Sequence, residues 1–400
     1  MDLSTALWSD LPSEMVDQVL SYLPLPDLCR YRTVCKRWDR LMCDPKFGSL
    51  CAQNASKREA SLIAMRYMTC NTFFTGWCFL DVNARRWYVF KEDGKQIRSS
   101  FPHGDVRMDG GLVCQYWGPD GIIVYNPVSQ TYRKLPCTPK HFSEKTYFSE
   151  LTLVVDNISQ SFKIFLFTIP ENKSRILNIV PLKLVYDSVT NEWKTSTSPV
   201  CIGSGSKLNG SGVIFQGYLY TIRRRIYFEK SIRDFRDEYT VGRYNLVKDA
   251  WEDLDVPIII EISSACLVVS ANRLFLVAWS KGHGSGFPYG RPSWSFQLSE
   301  LKIPDMTREV LFEMSEADVV EGFETIEDGT TNYSLPGMSA FSFGNSILFM
   351  STSTGISAAF DVVTRSWDRN FPPNPLEYLP NLNCSWAGEQ MNLLLPCTPW

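Results

Sequence analysis

Histidine is nearly absent from this sequence: three stand among 400 residues, at His103, His141 and His283. They are scattered, so neither a His-based catalytic triad nor a His-rich metal centre is expected. The 12 cysteines include no C-x-x-C pair, the usual spacing of a zinc site. They read as reduced, mostly buried small apolar residues, and no disulfide, metal or cofactor is expected. Also missing are a P-loop, a Gly-x-Ser-x-Gly elbow and a dinucleotide fingerprint. Gly282, Gly284, Gly286 and Gly290 crowd one stretch, but no Lys-Ser/Thr and no helix signal follow it, so it reads as a loop. No catalytic residue is assigned.

Charge of one sign is lacking too. The formal net charge is −3, so no general attraction to nucleic acid or anionic lipid is expected. The most apolar stretch, 256–279, is interrupted by Glu261, Asn272 and Arg273, so it predicts two strands rather than a membrane span. The first residues hold no apolar h-region, which predicts a nuclear or cytoplasmic chain. What remains is ordinary globular material, 44% hydrophobic and 21% charged, with room for two or three domains or one small and one large.

The first fifty residues predict three short amphipathic helices. Ser9 or Asp10 can cap the first, and Pro12 suits its first turn, where a missing N–H has no partner anyway. Met15, Val16, Val19, Leu20 and Leu23 follow at helical spacing, and Pro24 ends the run. A second helix from Pro26 carries Leu28, Tyr31, Cys35, Trp38 and Met42 as one stripe. Asp44-Pro45 opens a short third with Phe47 and Leu50. So small a bundle is marginal alone. Its apolar surplus at Leu11, Val19, Leu20, Leu23 and Leu25 either packs on the next domain or takes a partner. A helix-turn-helix DNA binder is disfavoured, because residues 1–50 hold six Lys/Arg against seven Asp/Glu.

Leu11-Pro12-Ser13-Glu14, Val19-Leu20-Ser21-Tyr22-Leu23, Leu28, Arg32, Val34-Cys35-Lys36-Arg37-Trp38, Leu41 and Asp44-Pro45-x-Phe47 resemble the F-box pattern nearly position by position. The resemblance implies a Skp-type adaptor as partner and, through it, a cullin. It implies adaptor contact at Leu11, Pro12, Glu14, Val19, Leu20, Leu23, Leu25 and Leu28, and inner packing at Val34, Cys35 and Trp38.

The rest of the chain repeats itself. One motif recurs at 80–87, 125–132, 186–193, 244–251 and 360–367: an apolar or aromatic residue, then Asp or Asn, then an aromatic six positions on. The Asp/Asn side chain can bond its own backbone two residues on and start a turn, and the flanking residues then pair across strands. The anchors Asp81, Asn126, Asp187, Asn245 and Asp361 are separated by 45, 61, 58 and 116 residues. The last interval is twice 58, so a degenerate copy is expected near Phe296–Leu298 and Val310–Phe312. Hairpin signals at Gly118–Gly121, Phe215–Tyr220, Ala271–Phe275 and Phe343–Ile347 fill the units.

The motif resembles the kelch repeat, and Asp109-Gly110-Gly111-Leu112 is similar to its double-glycine element. The expected fold is therefore α+β and multidomain: a three-helix F-box over 1–50, a linker helix over 51–65 and an all-β kelch-type propeller over 66–400, with six blades, or seven. The pairing is similar to plant F-box/kelch proteins. It implies a non-catalytic substrate receptor of a Skp-cullin-F-box ubiquitin ligase. The alternative is a non-degradative scaffold or transcriptional co-regulator using the same two surfaces. Kelch-type oxidases need paired His at copper, which this chain does not offer. Three insertions are candidate target contacts: basic 223–236 with Arg223, Arg224 and Arg225; aromatic 281–296 with Phe287, Tyr289 and Arg291; and acidic 313–328 with seven acids and no base.

Overall fold

The structure is a computed structural model. It describes residues 11–55 except 24 and 43 and, from 62 to 390, the strands named below with their tight turns.

Four helices open the described residues: α1 (Ser13–Leu20), α2 (Leu25–Tyr31), α3 (Lys36–Met42) and α4 (Pro45–Ala55). The stripe expected as one helix from Pro26 to Met42 forms two. β-branched Thr33 and Val34 disfavour helix between them, and the Thr33 hydroxyl donates back to the Arg30 carbonyl at 2.7 Å. Val34 and Cys35 fall in and beside that break. Both are exposed, Val34 at 60%, which corrects their expected inner packing. Trp38 remains partly buried, edge-on to Tyr31 at 5.6 Å. The last helix runs to Ala55 because Cys51 is fully buried and Asn54 donates to Ser21 Oγ at 2.7 Å, tying α4 to the end of α1. With β1 starting at Leu62, regular structure fills most of the stretch read as a linker.

Among the described residues after α4 there are only strands and their connections, with no further helix. The first sheet holds β1 (Leu62–Met68), β2 (Thr75–Asp81) and β3 (Arg86–Lys91). The second holds β4 (Val106–Asp109), β5 (Leu112–Tyr116), β6 (Ile122–Asn126) and β7 (Thr131–Lys134). The third holds β8 (Thr146–Asp156), β9 (Ser161–Pro170), β10 (Leu182–Asp187) and β11 (Glu192–Ser196). The fourth holds β12 (Val213–Phe215), β13 (Tyr218–Phe228), β14 (Phe235–Asn245) and β15 (Ala250–Ile258). The fifth holds β16 (Ile262–Ser270), β17 (Arg273–Gly282), β18 (Ser293–Lys302) and β19 (Thr307–Ser315). The sixth holds β20 (Met338–Phe343), β21 (Ser346–Ser351), β22 (Ser357–Asp361) and β23 (Ser366–Asp368). Finally β24 (Gly388–Gln390) returns to pair antiparallel with β1, giving the first sheet its fourth strand.

Six four-stranded antiparallel sheets are thus described, each a meander, as the blades of a propeller. Neighbouring blades bury apolar faces against each other. Phe165 and Phe167 of blade 3 meet Leu219 and Tyr244 of blade 4. Tyr220, Ile222 and Val241 of blade 4 meet Leu267, Leu274 and Leu276 of blade 5. Phe341 and Leu348 of blade 6 meet Ile63 and Leu80 of blade 1, which closes the ring. The closing strand is β24, and the residues after Gln390 lie outside the described ones. The apolar stretch 256–279 holds the end of β15, all of β16 and most of β17, so it is strand, as its polar interruptions predict.

The recurrent motif is the turn between the third and fourth strand of a blade. Asp361 Oδ1 accepts the N–H of Val363 at 2.8 Å and of Thr364 at 2.7 Å. Asn245 does the same for Val247 and Lys248, Asp187 for Val189, and Asp81 for Ala84. The flanking residues pair across strands in every copy: Leu80 with Trp87, Tyr125 with Tyr132, Tyr186 with Trp193, Tyr244 with Trp251, Phe360 with Trp367. In blade 5 the same register positions are Leu301 opposite Arg308, and Lys302 opposite Thr307. Lys302 lies 57 residues after Asn245 and 59 before Asp361, so the degenerate copy sits where the doubled interval puts it. There Lys302 replaces the Asp/Asn and Arg308 the aromatic.

Candidate functional site

Two surfaces are in question: the helical module and the free end of the propeller. The helical residues divide cleanly. Leu20 and Leu28 are interior, exposed by 2% and 1%. Leu11 and Leu23 are partly buried against the same cluster. Pro12, Glu14 and Val19 are exposed, and Met15 and Tyr22 join them as exposed residues that the motif-based assignment of adaptor contacts passed over. The side chain of Leu25 lies outside the described residues. Pairs of opposite charge hold the bundle's shape: Arg37 with Asp17 at 3.2 Å joins α3 to α1, and Arg32 with Asp39 at 2.9 Å spans the α2–α3 break. Both are exposed and contribute little individually.

Val16, Leu20, Leu28, Phe47 and Cys51 belong to one buried cluster with Trp77 and Phe79 of blade 1 and Met108, Val113 and Tyr125 of blade 2. The Arg30 guanidinium lies over the Tyr88 ring of β3, 5.8 Å from its centroid. Part of the apolar surplus therefore packs on the next domain, while Met15 and Val19 leave α1 an exposed apolar face.

A propeller meander has two ends. The first-to-second and third-to-fourth strand turns lie at one end; the second-to-third and blade-to-blade connections lie at the other. The chain enters β1 at Leu62, which pairs with Asp81 at the motif-turn end. The strand ends flanking all three candidate insertions lie at the opposite end: Phe228 and Phe235, Gly282 and Ser293, Ser315 and Met338.

The described part of the basic stretch is strand, and residues 229–234 lie outside the described residues. Arg223, Arg224 and Arg225 are strand residues of β13, paired with Thr240, Tyr239 and Glu238 of β14. The insertion lengthens a hairpin, because Ile222, Tyr227 and Phe228 continue the β-rich pattern through the charges. In the aromatic stretch Phe296 belongs to β18 and is buried, stacked on Trp279 with centroids 4.0 Å apart. It is blade core and not a contact residue. Phe287, Tyr289 and Arg291 lie outside the described residues, as does the acidic stretch beyond Ser315.

The axis of the ring encloses a cavity of about 240 Å³ bounded by the innermost strands of blades 2 to 6, with Arg107, Asp109, Thr152 and Ser342 among its lining. Burial pushes the Asp109 carboxyl up to about 6, although it accepts the Val155 N–H at 2.6 Å. Burial likewise pushes the Cys114 thiol up, and the Cys266 thiol up to about 12, so neither is a nucleophile near neutral pH. Among the described residues no group of three or more His, Cys, Asp or Glu could hold a metal ion.

The architecture is a small helical module packed on six four-stranded sheets. Residues 8–47 match the F-box-like family model. An F-box/kelch-repeat protein of Arabidopsis thaliana is 28% identical over 52% of this chain and 50% of its own length. F-box only protein 6 is 23% identical over 69% of this chain and 54% of its own length. The Arabidopsis protein UNUSUAL FLORAL ORGANS is 22% identical over 90% of this chain and 78% of its own length. Against the first and third of the curated relatives the match spans about half of their length. Among solved structures YjhT is similar at TM-score 0.41 and 11% identity, over 68% of this chain and 84% of that one, a likeness too distant to carry argument. The N-terminal module thus matches the F-box-like model, and the chain as a whole is similar to F-box and F-box/kelch-repeat proteins of Arabidopsis.

Proposed function

We propose that this chain is the client-recognition subunit of a Skp-cullin-F-box ubiquitin ligase, docking a Skp-type adaptor through α1 and a target protein through the propeller. The observation that carries the reading is an F-box whose first helix leaves Pro12, Glu14, Met15 and Val19 exposed while Val16 and Leu20 anchor it. The receptor needs no catalytic residue of its own. It contributes proximity, raising the effective concentration of the client's lysines near the charged conjugating enzyme. The adaptor end joins the propeller at its motif-turn end, and the candidate client strands open at the other, which leaves room for both partners.

The test is adaptor capture. Leu20 is unsuitable as a probe because its truncation would empty the bundle core, costing about 2–5 kcal/mol of stability. Val19→Asp combined with Met15→Asp changes only exposed positions. The pair should abolish co-purification with the adaptor while the thermal melt stays within that of the parent. Unchanged adaptor capture sinks the reading. Whether the outcome is degradation or scaffolding is read from the half-life of a captured partner in cells with and without this chain.

A further inference from the structure

Neither an adaptor nor a client accounts for the cavity on the propeller axis. It holds about 240 Å³ and lies toward the motif-turn end: Asp109, Ile214, Val269 and Ser342 line it, and each stands at or one residue before the end of its strand. At about 30 Å³ per water it has room for on the order of eight waters, or for one molecule of about that many non-hydrogen atoms. It is smaller than the pockets that take drug-sized ligands.

The side chains of its wall are apolar along blades 4 and 5, with Val213, Ile214, Leu267 and Val269, and polar at Arg107, Asp109, Thr152 and Ser342. Two of the polar groups are incompletely satisfied. Thr152 is 3% exposed, and its hydroxyl has no hydrogen-bond partner. The Asp109 carboxylate is opposed by burial, and what favours its charge are the N–H groups of Val155 and Gly110, with no cation among the described residues. The Arg107 charge is felt at the Cys114 thiol, opposite it on β5. A buried carboxylate without a counter-charge costs the fold free energy, and a cavity that keeps one is a candidate binding site.

We infer that the axial cavity binds a small aliphatic amino alcohol, its ammonium at the Asp109 carboxylate, its methylenes along the valine and leucine wall and its hydroxyl toward Thr152. The ammonium brings the charge that the carboxylate lacks, in a charge-assisted hydrogen bond out of water. The ligand hydroxyl brings a donor to the orphaned Thr152 oxygen. A second ammonium is disfavoured by Arg107 in the same wall, and a ligand carboxylate by Asp109, because like charges in one site repel. The site is independent of the receptor reading and needs neither adaptor nor client to fill.

The test is isothermal titration calorimetry of the full chain with unbranched aminopentanol, beside pentanediol and hydroxypentanoate of the same length. The expected result is saturable binding of the amine, at least about tenfold tighter than the diol, with no heat from the acid. Raising the salt to about 0.5 M should weaken it less than about threefold, since a buried pair is screened far less than a surface one. Asp109→Asn should weaken it at least about tenfold and Thr152→Val about threefold, with thermal melts taken to confirm that both variants fold. If either variant melts early, the ranking of the three compounds on the parent chain decides alone. Absence of saturable binding, or equal binding of amine and diol, means that the cavity holds water only and overturns the assignment. So does loss of the heat at high salt, which marks adsorption to surface carboxylates, and so does binding unchanged by Asp109→Asn. A capped Gly-Lys-Gly peptide that binds where aminopentanol does not also overturns it, because the occupant is then a protein side chain.

Discussion

At the scale of single residues, the turns between the first two strands of a blade show what backbone alone can cost. Gly110-Gly111, Gln216-Gly217 and Ala271-Asn272 all have positive φ at both central positions, the geometry a two-residue hairpin needs to match strand twist. Gly217 sits at φ 81, and a Cβ added there would meet nothing within 4 Å. Gly217→Ala therefore isolates backbone strain from packing and should destabilise by about 1 kcal/mol in chemical denaturation. Gln216 is exposed, and Gln216→Asn supplies the residue that tolerates this conformation, so it should stabilise by about 0.5 kcal/mol. Asp109 behaves differently because its cost is electrostatic. Its folded carboxyl titrates at about 6 against an ordinary 3.8, so folding favours the protonated form. The associated stability is present at low pH and is lost as pH rises from about 4 through about 6. Asp109→Asn keeps an oxygen for the Val155 N–H and removes the charge. It should match the parent near pH 4 and exceed it by on the order of 2 kcal/mol at pH 7.5, measured by parallel urea titrations.

At the scale of elements, one turn is reused to join blades as well as strands. Four residues after the motif Asp/Asn, Arg85, Asn191 and Arg365 adopt positive φ. Each reaches the residue just after the motif's aromatic position (filled by Arg308 in blade 5) in the preceding blade: Arg85 to Asp368 at 2.5 Å, Asn191 to Arg133 at 2.7 Å, Arg365 to Glu309 at 3.4 Å. Asp368 lies below the usual carboxylate range: burial works against its charge, but Arg85 and the Asn370 N–H outweigh it. The motif tryptophans make a second join, Trp193 Nε1 donating to the Pro136 carbonyl at 2.9 Å and Trp87 Nε1 to that of Pro372 at 3.1 Å. Trp193→Phe keeps the ring against Tyr186 and removes the donor, so it should cost about 1 kcal/mol in thermal or urea unfolding. The turn was legible because Asp, Thr and Trp recur at fixed spacing. The joins were not, because they connect residues about 57 apart or at opposite ends of the chain, and no local period encodes that. The break between α2 and α3 was hidden for a related reason: Leu28, Tyr31, Cys35 and Trp38 keep helical spacing straight through it, and only the β-branched Thr33-Val34 pair marks the stop. Charge run misled in the same way at 223–236, where alternation with Ile226 and Phe228 was the better signal than the arginines.

At the scale of the molecule, the ring is held shut by pieces from both ends of the chain. β1 opens the propeller and β24, from the last fifteen residues, lies along its inner edge, pairing Ile63 with Gln390 and Met65 with Gly388. Blade 1 is thus completed by non-local contact, and Ile63, fully buried, has β24 on one side and blade 6 against its face. Beside it the Arg85–Asp368 pair and the Trp87–Pro372 bond fasten the same seam from outside. A chain ending at residue 372 retains those outer fastenings and, of the described residues, loses the inner strand. It should remain folded in blades 2 to 5 yet lose on the order of 2 kcal/mol, because a buried strand edge gives up its backbone partners and Ile63 meets water. Hydrogen exchange locates the effect: amides of β1 and of β20, whose blade faces the seam, should lose protection, while those of β13 and β17 keep it. Uniform loss would mean that the propeller opens as one unit and that the seam is no weaker than any other blade contact. The F-box hangs from this same blade 1, through the cluster shared with Trp77 and Phe79, so adaptor capture by the truncated chain reports how far seam strength reaches. If the helical module folds on α1–α4 contacts alone, capture survives the truncation; if it depends on an intact blade 1, capture falls with the protection of β1.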